Sequence, residues 1–124
     1  MPETDIHNRK QTNQRILVKL EESSLSQENV QEVKEFVNKL KASGIGRDRV
    51  RNYVWSFDYL ADHIDFPLPE ASEQDLLELA GHINQDLREE LSEYSIAELK
   101  KTLSTYYVWY LDSPDRVEFL EPTV

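Results

Sequence analysis

The chain has no cysteine, and among its 124 residues it has only three glycines and five prolines. The absence of thiols excludes disulfides and thiolate metal sites. No run approaches the roughly 20 consecutive apolar residues of a membrane-spanning helix, so no membrane partner is expected. The first fifteen residues also lack the apolar stretch of a signal peptide. We therefore expect a cytoplasmic location.

Basic residues are scarce as well: 14 stand against 24 acidic ones, a formal net charge of −10. A surface with this much negative charge repels phosphate groups. An excess of negative charge keeps a protein soluble by self-repulsion, and acidic surfaces are also common in proteins from halophilic sources. Three segments are locally basic in spite of this net charge. They are residues 1–20, with four basic and two acidic side chains and a net charge of +2, the trio Arg47, Arg49 and Arg51, and the pair Lys100–Lys101.

Residue patterns typical of catalysis are missing. The histidines, at positions 7, 63 and 82, have no paired ligand spacing. Acidic pairs are frequent, as this composition predicts. None of them has the apolar surroundings that would shift a carboxyl pKa to suit acid–base catalysis. The sequence has no G-x-S-x-G motif, and Gly44-Ile45-Gly46 lacks the third glycine of a dinucleotide loop. We expect no enzymatic activity in this chain, no metal and no cofactor.

Apolar residues recur at helical spacing in four segments, which predicts an all-α bundle of four main helices joined by short turns. Each segment is preceded by a residue typical of a helix start. These are Ser26, Gly46, Ser72 with Asp75 as its capping-box acid, and Ser95 with Glu98. Expected ends are Gly44 for the first helix, an extended connection at Pro67 and Pro69 for the second, and residues 112–115 for the fourth.

The predicted core is made of one apolar stripe per helix. Residues 84–93 either prolong the third helix or break it, and the sequence leaves this open. Trp55 and Trp109 lie off the stripes, so each faces a neighbour or the surface. The stripes are Val30, Val33, Phe36, Val37 and Leu40; Val50, Tyr53, Val54, Phe57, Leu60, Ala61 and Ile64; Leu76, Leu77, Leu79, Ala80 and Ile83; and Ile96, Leu99, Leu103, Tyr106, Tyr107 and Tyr110.

The order of motifs over residues 25–111 resembles a known family. A helix ending in L-x-x-S-G-I is followed by R-x-x-N-Y-V-x-x-F-x-x-L-A, then by PEASEQDLLELAGHIN, then by YSIAELKKTLSTYYVWYL. This order is similar to the N-terminal core-binding, or SAM-like, domain of phage-integrase-type tyrosine recombinases of the archaeal branch. Residues 1–24 are expected to form a polar N-terminal arm, in which the spacing of Ile16, Leu17 and Leu20 predicts a short helix over 13–22. The resemblance implies a linker at 112–124. The linker segment is alternatively a docking segment.

In that family the helical domain clamps one side of duplex DNA, and a separate catalytic domain, which cleaves and rejoins the strands, clamps the other. The resemblance therefore implies that this chain is a fragment of a longer recombinase or a stand-alone remnant. It also implies self-association on DNA. The second and fourth helices would face the duplex, with contacts from Arg47, Arg49, Arg51, Asn52, Ser95, Lys100, Lys101 and Thr105.

One departure from the family pattern concerns the fourth helix, which has fewer basic residues than usual. Ile96 stands where a threonine is common, and Glu93 and Glu98 lie at the same end. We therefore expect weak DNA binding by the isolated domain at moderate salt. The alternative is a helical protein-interaction module with no DNA role, which the net charge and the two unassigned tryptophans favour.

Overall fold

The computed structural model describes residues 17–120, with the side chains of 118–120 left out. Every regular element in this range is helical and no strand occurs there, which confirms the predicted all-α class. Each helix in the same range is too short or too polar to cross a lipid bilayer. The expectations for residues 1–16, including the start of the short helix, and for residues 121–124 lie outside the described residues.

Five α-helices are joined by shorter helical turns. Within the described range α1 covers residues 17–21, and it is followed by α2 (Gln27–Ala42), α3 (Arg47–Leu60), α4 (Glu73–Gly81) and α5 (Glu93–Ser104). The shorter pieces are 3₁₀ turns at Ala61–His63, Leu68–Glu70, Leu87–Glu89 and Pro114–Leu120, and π-helical turns at His82–Asp86 and Thr105–Tyr110. The chain divides into two compact units between Asp65 and Phe66, and the predicted domain 25–111 spans both.

In the first unit, α2 has the predicted ends. The Ser26 hydroxyl accepts a hydrogen bond from the backbone N–H of Asn29 at 3.1 Å, and the whole predicted stripe is buried. At the other end Gly44 has a φ of +85°, one residue beyond the C-cap. The N–H of Ile45 donates to the carbonyl of Leu40 at 3.0 Å, which makes this a Schellman motif.

The core of the first unit centres on the ring of Phe36, which is fully buried. Its centroid lies 5.9 Å from that of Tyr53 and 6.1 Å from that of Phe57, so α2 and α3 pack through aromatic contacts. Every predicted stripe residue of α3 is buried. Leu20 of α1 is also fully buried, so the end of the predicted polar arm packs with the first unit.

The second unit begins with a connection that differs from the prediction. The backbone is extended at Pro67, with φ −65° and ψ 123°, but residues Leu68–Glu70 form a 3₁₀ turn within the connection. The fixed φ of Pro69 suits the first turn of a helix, where a missing N–H is not needed. The predicted capping box of α4 is confirmed, since Ser72 and Asp75 exchange side-chain-to-backbone hydrogen bonds of 3.0 Å in both directions.

The stripe predicted for the third helix is correct except at Leu77, which is 43% exposed. Leu77 lies about 100° around the axis from Leu76, which is enough to turn it away from the core. The segment that the sequence left open prolongs the helix. A π turn at His82–Asp86 and a 3₁₀ turn at Leu87–Glu89 continue it, and the chain leaves helical geometry before α5 begins.

The predicted start of the fourth helix is wrong by one turn. The N-cap is Ser92, whose hydroxyl accepts from the backbone N–H of Ser95 at 3.2 Å, so Ser95 lies inside the first turn of α5. Both serines are good caps, but a start at Ser92 places Glu93 at the positive end of the helix. Glu98 consequently has no part in a capping box.

Beyond α5 the π turn holds two adjacent tyrosines in the core. Tyr106 and Tyr107 are fully buried, with ring centroids 4.8 Å apart, whereas Tyr110 is only half-buried. The Tyr107 hydroxyl donates to the buried carbonyl of Leu68 at 2.8 Å.

The segment predicted as a linker begins with structure of its own. Pro114–Leu120 consists of two short 3₁₀ turns separated by a kink at Val117, and it packs against α4, α5 and the preceding π turn. Val117 is buried, and the guanidinium of Arg116 donates to the carbonyl of Pro69 at 2.7 Å. Of the two alternatives that the sequence left for this segment, these contacts favour docking.

The revised cap of α5 predicts a contrast between two serines. Ser92→Ala removes the acceptor for the N–H of Ser95, and we expect a loss of about 1 kcal/mol in the free energy of unfolding. Ser95→Ala leaves that acceptor in place and should change stability by only a few tenths. Urea denaturation followed by circular dichroism measures both. A larger loss for Ser95→Ala would contradict the placement of the cap.

Two glycines predict opposite effects of the same substitution. Gly81 has the helical angles φ −60° and ψ −43°, and an added Cβ would meet no atom within 4 Å. Gly81→Ala should therefore stabilise the protein by about 0.5–1 kcal/mol. Gly44→Ala places a Cβ at a φ of +85° and should destabilise by about 1 kcal/mol or more. Melting temperatures that shift in the same direction would contradict this assignment.

Candidate nucleic-acid interface

The two units differ strongly in charge. Residues 17–65 contain seven basic and nine acidic side chains, a net charge of −2, whereas residues 66–120 contain four and twelve, a net charge of −8. The repulsion that phosphates would meet therefore comes mainly from the second unit. A nucleic-acid surface is most compatible with the first unit.

The start of α3 has the features of an anion-attracting helix end. Its N-cap is Gly46, which supplies no side-chain acceptor for the N–H groups of the first turn. The helix dipole adds partial positive charge there. Arg47 and Arg49 are exposed around this end, and Asp48 is the one acid of the first turn. The local balance favours an anion, in contrast to the net charge of the whole chain.

The arginine trio is divided between two sides of the helix. Arg47 and Arg51 lie one turn apart, about 40° around the axis, whereas Arg49 is about 160° away from Arg51. All three are exposed, and neither Arg49 nor Arg51 has an ion pair among residues 17–120. The exposed Asn52 follows Arg51 in the chain. The structure thus brings together Arg47 and Arg51 and separates Arg49 from them, whereas Asn52 lies about 100° around the axis from Arg51 and about 60° from Arg49.

Two aromatic residues on the same outward face were not predicted as site residues. Trp55 and Tyr59 are half-buried, their ring centroids are 5.2 Å apart, and their planes are inclined by 40°. Both are in register with Arg51 at i+4 and i+8, so they continue its row along the helix. That spacing is visible in the sequence, and it was the available signal for including them.

The predicted residues of the fourth helix form a weaker set. Ser95 lies in the first turn of α5 and not at its N-cap, and its hydroxyl accepts a hydrogen bond from that of Ser92 at 3.3 Å. Lys101 is exposed and precedes the half-buried Thr105 by one turn. Lys100 is half-buried and about 100° away from Lys101. Only Lys101 and Thr105 share an outward face.

Instead, the second unit exposes apolar side chains. Tyr94 at the start of α5 is 71% exposed, and Val108 and Trp109 in the π turn are 42% and 44% exposed. Leu77 of α4 adds a further exposed apolar side chain. Because large aromatic side chains are more often buried, their exposure on an acidic unit needs a functional explanation.

Side chains suited to metal binding do not gather in the part of the chain that the structure describes. No group of three or more His, Cys, Asp or Glu side chains within residues 17–120 could hold a metal ion. His82 instead contacts Asp86 of the same π turn, with Nδ1 and Oδ2 separated by 2.8 Å. A surface groove in the first unit is lined by Leu25, Val30 and the ion pair of Glu21 with Lys34.

Searches of protein-family models, of curated proteins and of solved structures found no match to this chain. The resemblance to the recombinase core-binding domain therefore depends on the residues quoted above and on the helical fold. The functional argument depends on the local chemistry of the surface.

Proposed function

We propose that the chain is a DNA-binding module comparable to the N-terminal domain of a tyrosine recombinase, and that α3 is its contact helix. The observation that carries this proposal is the pair of exposed arginines, Arg47 and Arg51, which lie one turn apart on α3. It lies beside a helix start without a side-chain cap and on the unit with little net charge. A location in the cytoplasm accords with it.

The chemistry of each side chain suits a different part of a duplex. The guanidinium of Arg47, nearest the helix start, would pair with a phosphate together with free N–H groups of the first turn. Arg51 and Asn52 lie further along the helix, where side chains reach base edges when a helix enters the major groove. Arginine prefers guanine there and asparagine prefers adenine.

The second unit would contribute little to affinity. Lys101 and Thr105 are its outward polar pair, but they belong to a segment with a net charge of −8. We therefore expect binding that depends mainly on the first unit and weakens steeply with salt. Strand cleavage would need the recombinase catalytic domain as a partner, and this chain would position the DNA for it.

The proposal predicts different effects for two charge reversals on the same helix. Arg51→Glu should lower the affinity for duplex DNA by at least about tenfold, since it replaces a contact worth about 1–3 kcal/mol with repulsion. Arg49→Glu, which has the same charge change on another side of α3, should have a smaller effect. Fluorescence anisotropy with a labelled duplex, across a salt series starting near 50 mM, measures both.

The matched reversal at position 49 controls for net charge and for the stability of α3. Reversal of all three arginines should abolish binding. Equal losses for Arg49→Glu and Arg51→Glu would show that only the overall charge matters. Absence of salt-dependent binding by the wild-type chain would contradict the proposal as a whole.

A second candidate function, a protein-interaction module, is favoured by the exposed aromatic side chains of the second unit. Tyr94 and Trp109 are residue types enriched at interaction hot spots, and charged surroundings keep such a surface soluble before it is covered. Self-association through this surface would fit either function.

Light scattering tests the second candidate directly. If the exposed π-turn residues form a dimer contact, the wild-type mass should rise with concentration, and Trp109→Ser should shift the dissociation constant by at least about tenfold, as for a hot spot of 2 kcal/mol or more. Leu77→Ser is the matched control on another helix. If the protein is monomeric at all concentrations and still binds DNA, the second candidate function is contradicted and the DNA-binding proposal stands.

A further inference from the structure

Trp55 and Tyr59 need an explanation beyond packing. The core of the first unit is filled from the opposite side of α3, where Tyr53 and Phe57 contact Phe36. The rings of Trp55 and Tyr59 instead contact each other across one helical turn and remain half-exposed. An indole left at the surface keeps part of its apolar area in water, which is unfavourable until a partner covers it.

The charges around this pair favour an anionic partner. Arg51 lies one turn before Trp55 on the outward row and has no ion pair within residues 17–120. Asp58, beside Tyr59 in sequence, is paired with the ammonium group of Lys19 at 3.6 Å, which offsets its charge. Asp48 is the one acidic residue in the first turn of α3, one turn before Arg51. A cation and a flat aromatic surface therefore lie side by side.

We infer that the row of Arg51, Asn52, Trp55 and Tyr59, the aromatic row, binds an unpaired nucleotide, with the base stacked on Trp55 and a phosphate at Arg51. A base inside a duplex has both faces covered by its neighbours, so only a single-stranded or extruded base presents a face to an indole. Asn52 stands one turn before Trp55 and can donate to the edge of the stacked base. This inference deepens the proposed function and rests on nucleic acid being the partner.

Tyr59 is a positioning residue in this arrangement. Its ring lies 5.2 Å from that of Trp55 and restricts the indole from the side of the helix C-terminus. A base is then directed to the side of Trp55 nearer Arg51. Stacking tolerates any base, so the aromatic row would recognise the unpaired state of a nucleotide more than its identity.

The two tryptophans allow a direct test in the full chain. In a Trp109→Phe background Trp55 is the only indole, and its fluorescence reports the aromatic row alone. A single-stranded oligothymidine should quench this fluorescence in a saturable way, and a duplex of equal length should quench it far less. Trp55→Ala should weaken single-strand binding by about five- to a hundredfold, the range for loss of one stacked base.

Controls separate stacking from folding and from charge. Trp55→Tyr should retain most of the single-strand affinity, because a phenol ring also stacks. Circular dichroism of each variant checks that α3 is intact. Arg51→Gln should weaken binding and reduce its salt dependence by about one phosphate contact.

Single-strand binding that leaves Trp55 fluorescence unchanged, or that survives Trp55→Ala, would overturn the inference, as would quenching of equal size by the duplex. Absence of single-strand binding would overturn it too. The duplex affinity measured by anisotropy tests the proposed function separately. A negative result for single-strand binding does not imply a negative result for duplex binding, and the reverse also holds.

Discussion

The ring of Phe36, packed between the aromatic side chains of Tyr53 and Phe57, fixes the rotation of α3 about its own axis. A helix has one face to bury, and these contacts decide which face that is. The outward direction of Arg51 and Trp55 follows from them without any further contact. The candidate site is thus a by-product of core packing, and its geometry is as rigid as the core beneath it.

The division of charge along the chain has a similar physical effect. An overall charge of −10 describes neither unit well, since the described part of the first unit is near neutrality and that of the second is strongly acidic. Long-range repulsion from acidic residues is screened over roughly 8–10 Å at physiological salt. A local basic row can therefore attract phosphate even in an acidic protein, provided that salt is moderate.

Much of the fold follows from sequence, because helical periodicity and serine caps are local signals. The ends of α2 and α4 were predicted correctly from Ser26 and Ser72, and the buried stripes from their spacing. The start of α5 was not, because Ser92 and Ser95 compete as caps and the choice depends on the first turn as a whole. Among site residues, residue type pointed to the arginines, and the spacing of Trp55 and Tyr59 after Arg51 was visible in the sequence, but the contact between the two rings and their partial exposure came from the structure.

The π turn at Thr105–Tyr110 also makes the exposed apolar surface of the second unit depend on the number of residues in this part of the chain. Such a turn corresponds to an α-helix that has accepted one additional residue without being interrupted. Removal of a single residue would restore regular α-helical geometry and rotate everything after it by about 100° relative to the core. After such a removal Val108 would take the buried position of Tyr107, and Trp109 would take the exposed position of Val108. The exposed face of the second unit is therefore encoded by the length of the chain as much as by its side chains.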